Sequence, residues 1–134
     1  MNTLQKSLVD DLRHHEDGHE RLSAVIERTR RTPRFPAEER SAEHRVPGCS
    51  SSVWLLPQFA DGRCSFRSDA DSPVVRGLVA LVADYFSGST PPEILNSNDD
   101  PLELLDLNRG LSHTRRHGLA AVLAAIRVFA QRHV

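Results

Sequence analysis

Two strand-like runs joined by Asp61-Gly62 constrain this fold more than any other feature. Val53-Trp54-Leu55-Leu56 is β-branched and aromatic, residues 63–67 alternate, and the dipeptide between them favours a two-residue type I′ turn. Such a turn sets the register. It places Phe59 opposite Cys64, Pro57 opposite Phe66 and Leu55 opposite Ser68. Cross-strand partners share a face, so Val53, Leu55, Phe59, Cys64 and Phe66 are predicted to line the core side. Trp54 falls on the opposite side, to be covered by another helix.

The rest of the chain reads as helices. Leu4, Leu8, Val9 and Leu12 have helical spacing, and Leu22, Val25 and Ile26 suggest a second helix that stops at Thr32-Pro33. A charged, proline-containing connector fills residues 33–44. After the hairpin, Ser72 and Pro73 form a helix start. The segment from Val74 to Phe86 is apolar almost all round, as a central buried helix is, and Gly88 ends it. Gly77 within it predicts close helix packing. Thr90-Pro91-Pro92-Glu93 opens another helix with a capping box. A short segment over residues 102–107 precedes a last helix over residues 113–132. Because the strands cluster instead of alternating with helices, the order predicts an α+β fold: a small antiparallel sheet packed against N- and C-terminal helices.

Composition narrows the function. The 134 residues predict a single domain over 1–134 with one core of its own. Seventeen Lys and Arg against 18 Asp and Glu leave a net charge of -1, which is not a nucleic-acid footprint, and the pairs Arg30-Arg31 and Arg115-Arg116 are too short to change that. No apolar run approaches a membrane span, and the first residues lack the apolar stretch of a signal peptide. The expectation is a cytoplasmic protein whose two cysteines are thiols.

Cys49 carries the chemistry. It lies in Arg45-Val46-Pro47-Gly48-Cys49-Ser50-Ser51-Ser52-Val53-Trp54, on a loop that enters the first strand. Buried cysteines usually sit inside apolar runs, whereas this one is placed to be reached by another molecule. Residue pattern alone leaves two readings, a reactive thiol and an inert strand-edge thiol. Cys64, in the hairpin, reads as packing. With Cys64 beside the turn and Cys49 before the strand, the sulfurs are predicted to lie on the order of 30 Å apart, beyond disulfide reach.

The run at 45–54 resembles the signature of SufE-like sulfur-acceptor proteins, R-V-x-G-C-x-S-x-V-W. Three further stretches resemble that family in order and spacing: residues 67–78, with Asp69-Ala70-Asp71 and Val75-Arg76-Gly77-Leu78; Thr90-Pro91-Pro92-Glu93-Ile94; and Leu111-Ser112-His113-Thr114-Arg115-Arg116-His117-Gly118-Leu119. The likeness runs from about Arg21 to the end of the last helix. It departs from the usual pattern at Arg67, where the family has glycine, at Ala70, at Pro73, and at His113, where it has proline. His44 stands where asparagine is frequent.

The resemblance implies a SufE/IscU-like fold and a sulfur carrier. Cys49 matches the acceptor cysteine. It would take persulfide sulfur from a PLP-dependent cysteine desulfurase of the SufS-like kind, stimulate that enzyme by clearing its cysteine, and pass the sulfur to an iron–sulfur scaffold complex of the SufBCD-like kind. PLP would belong to the partner, and the chain itself would need no cofactor. It would act as an accessory sulfurtransferase, not a stand-alone enzyme. Gly48, Ser50, Ser51, Asp71 and Arg115 match loop-supporting or partner-meeting positions. Asp71 has capping of the next helix as its plainer role, and Arg115 a solvated charge. Monomer and homodimer are both compatible.

Two other functions remain open at this point. A regulatory adaptor would stimulate a desulfurase without carrying sulfur. An iron–sulfur or metal scaffold would need three ligands. His15 and His19, like His113 and His117, have i,i+4 spacing, but no cysteine or carboxylate spacing completes a zinc motif. No recognisable hydrolase motif is present.

Overall fold

The turn at Asp61-Gly62 forms as its residues dictate. Both have positive φ, +54° and +77°, as a type I′ turn requires. In the computed structural model, which describes residues 1–49 and 52–134, strands β1 (Val53–Ala60) and β2 (Arg63–Ala70) pair antiparallel. The register is the predicted one, with Phe59 opposite Cys64, Pro57 opposite Phe66 and Leu55 opposite Ser68.

Around this hairpin, the described residues form helices α1 (Thr3–Arg13), α2 (Gly18–Arg28), α3 (Pro73–Phe86), α4 (Pro91–Leu95), α5 (Pro101–Leu104) and α6 (His113–Gln131). The fold is α+β, with the small sheet packed on helices. Caps account for the helix starts. Asn2 and Gln5 form a capping box on α1, as do Thr90 and Glu93 on α4, while Ser72 and Ser112 cap α3 and α6. No helix among the described residues is long and apolar enough to cross a membrane.

Helix α3 is the axis of the core. Leu78, Val79, Leu81, Val82, Ala83, Tyr85 and Phe86 on it are all buried. The inner face of the hairpin packs on it through Val53, Leu55, Cys64 and Phe66. Helix α2 crosses close by at Gly77. A Cβ there would stand 3.0 Å from Ile26 Cα and 3.2 Å from Val25 O, so the predicted close packing is real and is backbone against backbone.

Two expectations for the hairpin need correction. Phe59 shares the core side by register, but it remains 39% exposed and stacks on His133, with ring centroids 4.6 Å apart. The twisted hairpin tip runs past the end of α3, so its last inward residue finds only the end of α6 to cover it. Trp54 is buried on the outer face, as predicted, but by the connector and not by a helix. The Arg40 guanidinium lies 5.0 Å from its ring centroid.

What holds the connector on that outer face is Asp69, opposite Trp54 in the register. Asp69 is 1% exposed, yet its carboxylate accepts five hydrogen bonds. Oδ2 accepts from Phe35 N at 3.0 Å, Arg40 Nη2 at 3.0 Å and Arg34 Nε at 3.2 Å; Oδ1 accepts from Ala70 N at 2.9 Å and Arg76 Nε at 3.0 Å. Arg76, on α3, also donates to Thr29 O at 2.7 Å and Thr32 O at 2.6 Å, in the turn that follows α2. One carboxylate thus ties together the connector, β2, α3 and the exit of α2. Arg67 adds an outer fastening, donating to both carboxylate oxygens of Glu39 at 2.8 and 3.0 Å.

Burial alone would push the Asp69 pKa up. The donors from Phe35, Ala70, Arg34 and Arg40 outweigh it and hold the pKa at about 2, against an ordinary 3.8. A folded value below the unfolded one gives stability that is complete above the unfolded pKa and is lost as pH falls through the folded one. Acid should therefore remove about 2 kcal/mol of stability between about pH 4 and about pH 2 through this group. Asp69→Asn should lower stability at neutral pH by about 3 kcal/mol and flatten that acid limb, both read from urea midpoints against pH. Gly77→Ala should cost about 1–3 kcal/mol by forcing α2 off α3, measured the same way.

Candidate functional site

The Cys49 loop grows from a fixed base. Just before it, the connector pairs with the start of β1: Val46 N donates to Val53 O at 2.8 Å and Leu55 N donates to His44 O at 2.9 Å. Val46 and Val53 are both buried. From the other side, Asp71 N donates to Ser52 O at 3.2 Å. The chain is therefore pinned on both sides of Cys49, at Val46 and at Ser52. Gly48, in the loop, has φ +89°, a left-handed conformation that a side chain would strain.

Cys49 points inward from this loop, half-buried, against the first turns of α6. Its Sγ donates to Gly118 O at 3.5 Å. A Cβ on Gly118 would stand 3.5 Å from that sulfur, an ordinary contact, so the thiol lies directly against the helix at this residue. Below the thiol is a cavity of about 20 Å³, walled mainly by Val53, Val75, Val79 and Leu119, with Thr114 and Arg115 at its rim. Space of that size holds about one water-sized atom.

The electrostatics oppose one another. Burial pushes the Cys49 thiol pKa up, and the Arg45 cation pulls it down, with burial the larger effect. At rest the sulfur is thus a neutral thiol that donates to a carbonyl. Helix α6 begins His113-Thr114-Arg115-Arg116-His117, with no acidic residue in its first turn. Cations at a helix N-terminus run against the helix dipole, which favours anions there. Their placement suits a negative group arriving from outside the helix.

The predicted site residues are brought together in part. Gly48 and Cys49 lie on α6, and Arg115 shares the cavity with Cys49. Ser50 and Ser51 lie outside the described residues. Asp71 is exposed at the end of β2 and does not cap α3, since the Ser72 side chain does. Asp71 instead contributes its backbone amide to the loop base. His44 is engaged by Ser41, with its Nδ1 3.1 Å from the hydroxyl oxygen, and so belongs to the connector. Cys64 is completely buried, and both cysteines are free thiols. Among the described residues, no three His, Cys, Asp or Glu side chains gather as metal ligands do.

Sequence reasoning passes over Gly118 and Arg45 as parts of this site. A signal for the first was present: a glycine inside a helix costs about 1 kcal/mol relative to alanine, and so marks a close approach. For Arg45 the signals were its nearness in sequence to Cys49 and its place at the head of the run at 45–54.

Comparison with known proteins agrees with the fold. A solution structure of a hypothetical protein from Thermus thermophilus has the same fold, with a TM-score of 0.75 at 17% identity, covering 96% of this chain and 94% of that one. The family described as SufE, the Fe-S metabolism associated domain, matches residues 6–130, which include the Cys49 loop, the Asp69 strand and the start of α6. The chain belongs to the SufE family of Fe-S metabolism associated domains.

Proposed function

We propose that this chain is a sulfur carrier: Cys49 takes persulfide sulfur from a PLP-dependent cysteine desulfurase and hands it to an iron–sulfur assembly scaffold. The observation that supports this best is the lone thiol above an apolar cavity large enough for one more atom. A persulfide is a thiol carrying one extra sulfur, and it decays by exchange with any thiol that reaches it. An apolar recess that admits that one atom, and little water, is the environment such a cargo needs.

The chemistry is thiol exchange. The Cys49 thiolate attacks the outer sulfur of the desulfurase persulfide, the sulfur–sulfur bond of the donor breaks, and the desulfurase cysteine leaves as a thiolate. Clearing that cysteine stimulates the desulfurase. Arg45 and Arg115 favour the anionic forms of Cys49 while it is out of the cavity. Gly48 supplies the backbone conformation on which the loop turns. Asp71 holds the loop base by its amide, and Ser50 and Ser51 offer hydroxyl donors to the sulfur anion. Between transfers, the neutral resting thiol resists oxidation, because the thiolate is the oxidisable form. The carrier works in the cytoplasm, where thiols stay reduced.

Incubation with cysteine and the cognate desulfurase should add one sulfur to the Cys49 peptide, seen by mass, removed by reductant and absent in Cys49→Ser. Complex formation with no added sulfur, and stimulation that survives Cys49→Ser, would replace the carrier with an adaptor. A second expectation concerns the recess. Gly118→Ala should leave Cys49 alkylation within about twofold of the parent, since its Cβ makes ordinary contact. Gly118→Val crowds the sulfur out, and alkylation at neutral pH should rise at least about fivefold.

A further inference from the structure

His117 is exposed on α6, one residue before the carbonyl that receives the Cys49 proton. Its Nε2 lies 3.9 Å from the point where a Cβ on Gly48 would stand. Consecutive residues of the helix therefore meet consecutive residues of the loop, His117 against Gly48 and Gly118 against Cys49. The carrier chemistry described above uses Gly118 and leaves His117 without a role.

The resting geometry leaves a step to be supplied. A carbonyl only accepts, so the sulfur bound to Gly118 O must keep its proton, yet exchange requires the thiolate. The polar side chains at the rim of the cavity are a hydroxyl and a guanidinium, Thr114 and Arg115, and neither is a base at neutral pH. Among the described residues no carboxylate lines the cavity. Among the described residues, the charged and titratable groups placed beside the loop include Arg45 from the connector, Asp71 at the loop base after β2, and Arg115 and His117 from α6. His113 lies one turn before His117, and Arg116 is turned back to Leu111 O at 3.3 Å. An imidazole is the group of this set that accepts a proton near neutrality.

We propose that His117 is the proton acceptor for Cys49 when the thiol leaves the Gly118 carbonyl for exchange. The Nε2 lone pair takes the Sγ proton, from the tautomer that carries its own hydrogen on Nδ1. The thiolate attacks the outer sulfur of an incoming persulfide, R–S–SH, and a new sulfur–sulfur bond forms. The donor's sulfur–sulfur bond breaks with its electron pair on R–S⁻, to which the imidazolium returns the proton. Cys49–S–SH and R–SH result, with no oxidant or reductant consumed. The carrier reading enters only through the identity of the electrophile.

The test replaces that electrophile with iodoacetamide, so it needs no desulfurase and its failure is separable from a failure of sulfur loading. Alkylation of Cys49 in the full chain is followed by peptide mass from about pH 5 to about pH 10, for the parent, His117→Gln and His113→Gln. The parent and His113→Gln should show an inflection on the acid side of the rise that the thiol alone gives. His117→Gln should lose that inflection, react about tenfold more slowly at about pH 7, and converge with the parent near pH 10, where the thiolate forms unaided. A His117→Gln profile that superimposes on the parent, or one slowed equally at every pH, would overturn the assignment. So would an inflection lost equally in His113→Gln.

Discussion

The buried carboxylate of Asp69 is the interaction on which the rest of the structure depends. A two-stranded hairpin has one face for the core and one face open, and an isolated pair of strands is marginal in water. Here the open face is closed by a connector with little regular structure of its own, whose backbone and arginines converge on Asp69. An ionised carboxylate is costly to bury unless it is fully hydrogen-bonded. Five donors meet that condition, and most of them come from segments distant in sequence, so the cost of burial becomes a requirement that those segments assemble in one arrangement.

That arrangement reaches the site through the backbone. With residues 34–40 fastened, the chain over residues 44–46 is positioned to pair with the start of β1, and the Cys49 loop becomes a short excursion between two fixed points. Helix α3, fastened by Arg76 to the same carboxylate, supplies Val75 and Val79 to the floor of the cavity. Rigidity below and a glycine-bearing loop above suit the proposed carrier, whose thiol would be sheltered at one time and presented at another. The opposed influences on Cys49, burial against Arg45, describe the same compromise in electrostatic terms. Shelter keeps the sulfur protonated and inert, and reactivity has to be supplied at the moment of exchange.

Much of this was legible in the chain because its causes are local. The Asp61-Gly62 turn, the caps at Ser72 and Thr90, and the tight crossing at Gly77 each depend on a few adjacent residues or on one missing Cβ. The Cys49 loop was legible for the same reason, and so was its likeness to the SufE family. What was not legible depends on distant partners. Asp69 sits in a strand whose pattern gives no hint that arginines from residues 34, 40 and 76 will meet there. Phe59 obeys the register but outruns the helix that would bury it. Arg67, a departure from the family's glycine, makes sense only beside Glu39. His117 shares an i,i+4 spacing with His113 that completed no metal motif, and the fold sets it against Gly48.

A loaded carrier must hold its cargo better than an open thiol does, and this is the most direct test of the account. The chain would be charged with sulfur at Cys49, freed of desulfurase, and challenged with dithiothreitol, folded and in urea, while the added sulfur is followed by peptide mass. The account predicts loss at least about tenfold slower from the folded chain, because the outer sulfur would lie in the recess beside Val79 and Leu119. Equal rates in the two states would mean that the recess shelters nothing, and would contradict the carrier built around it.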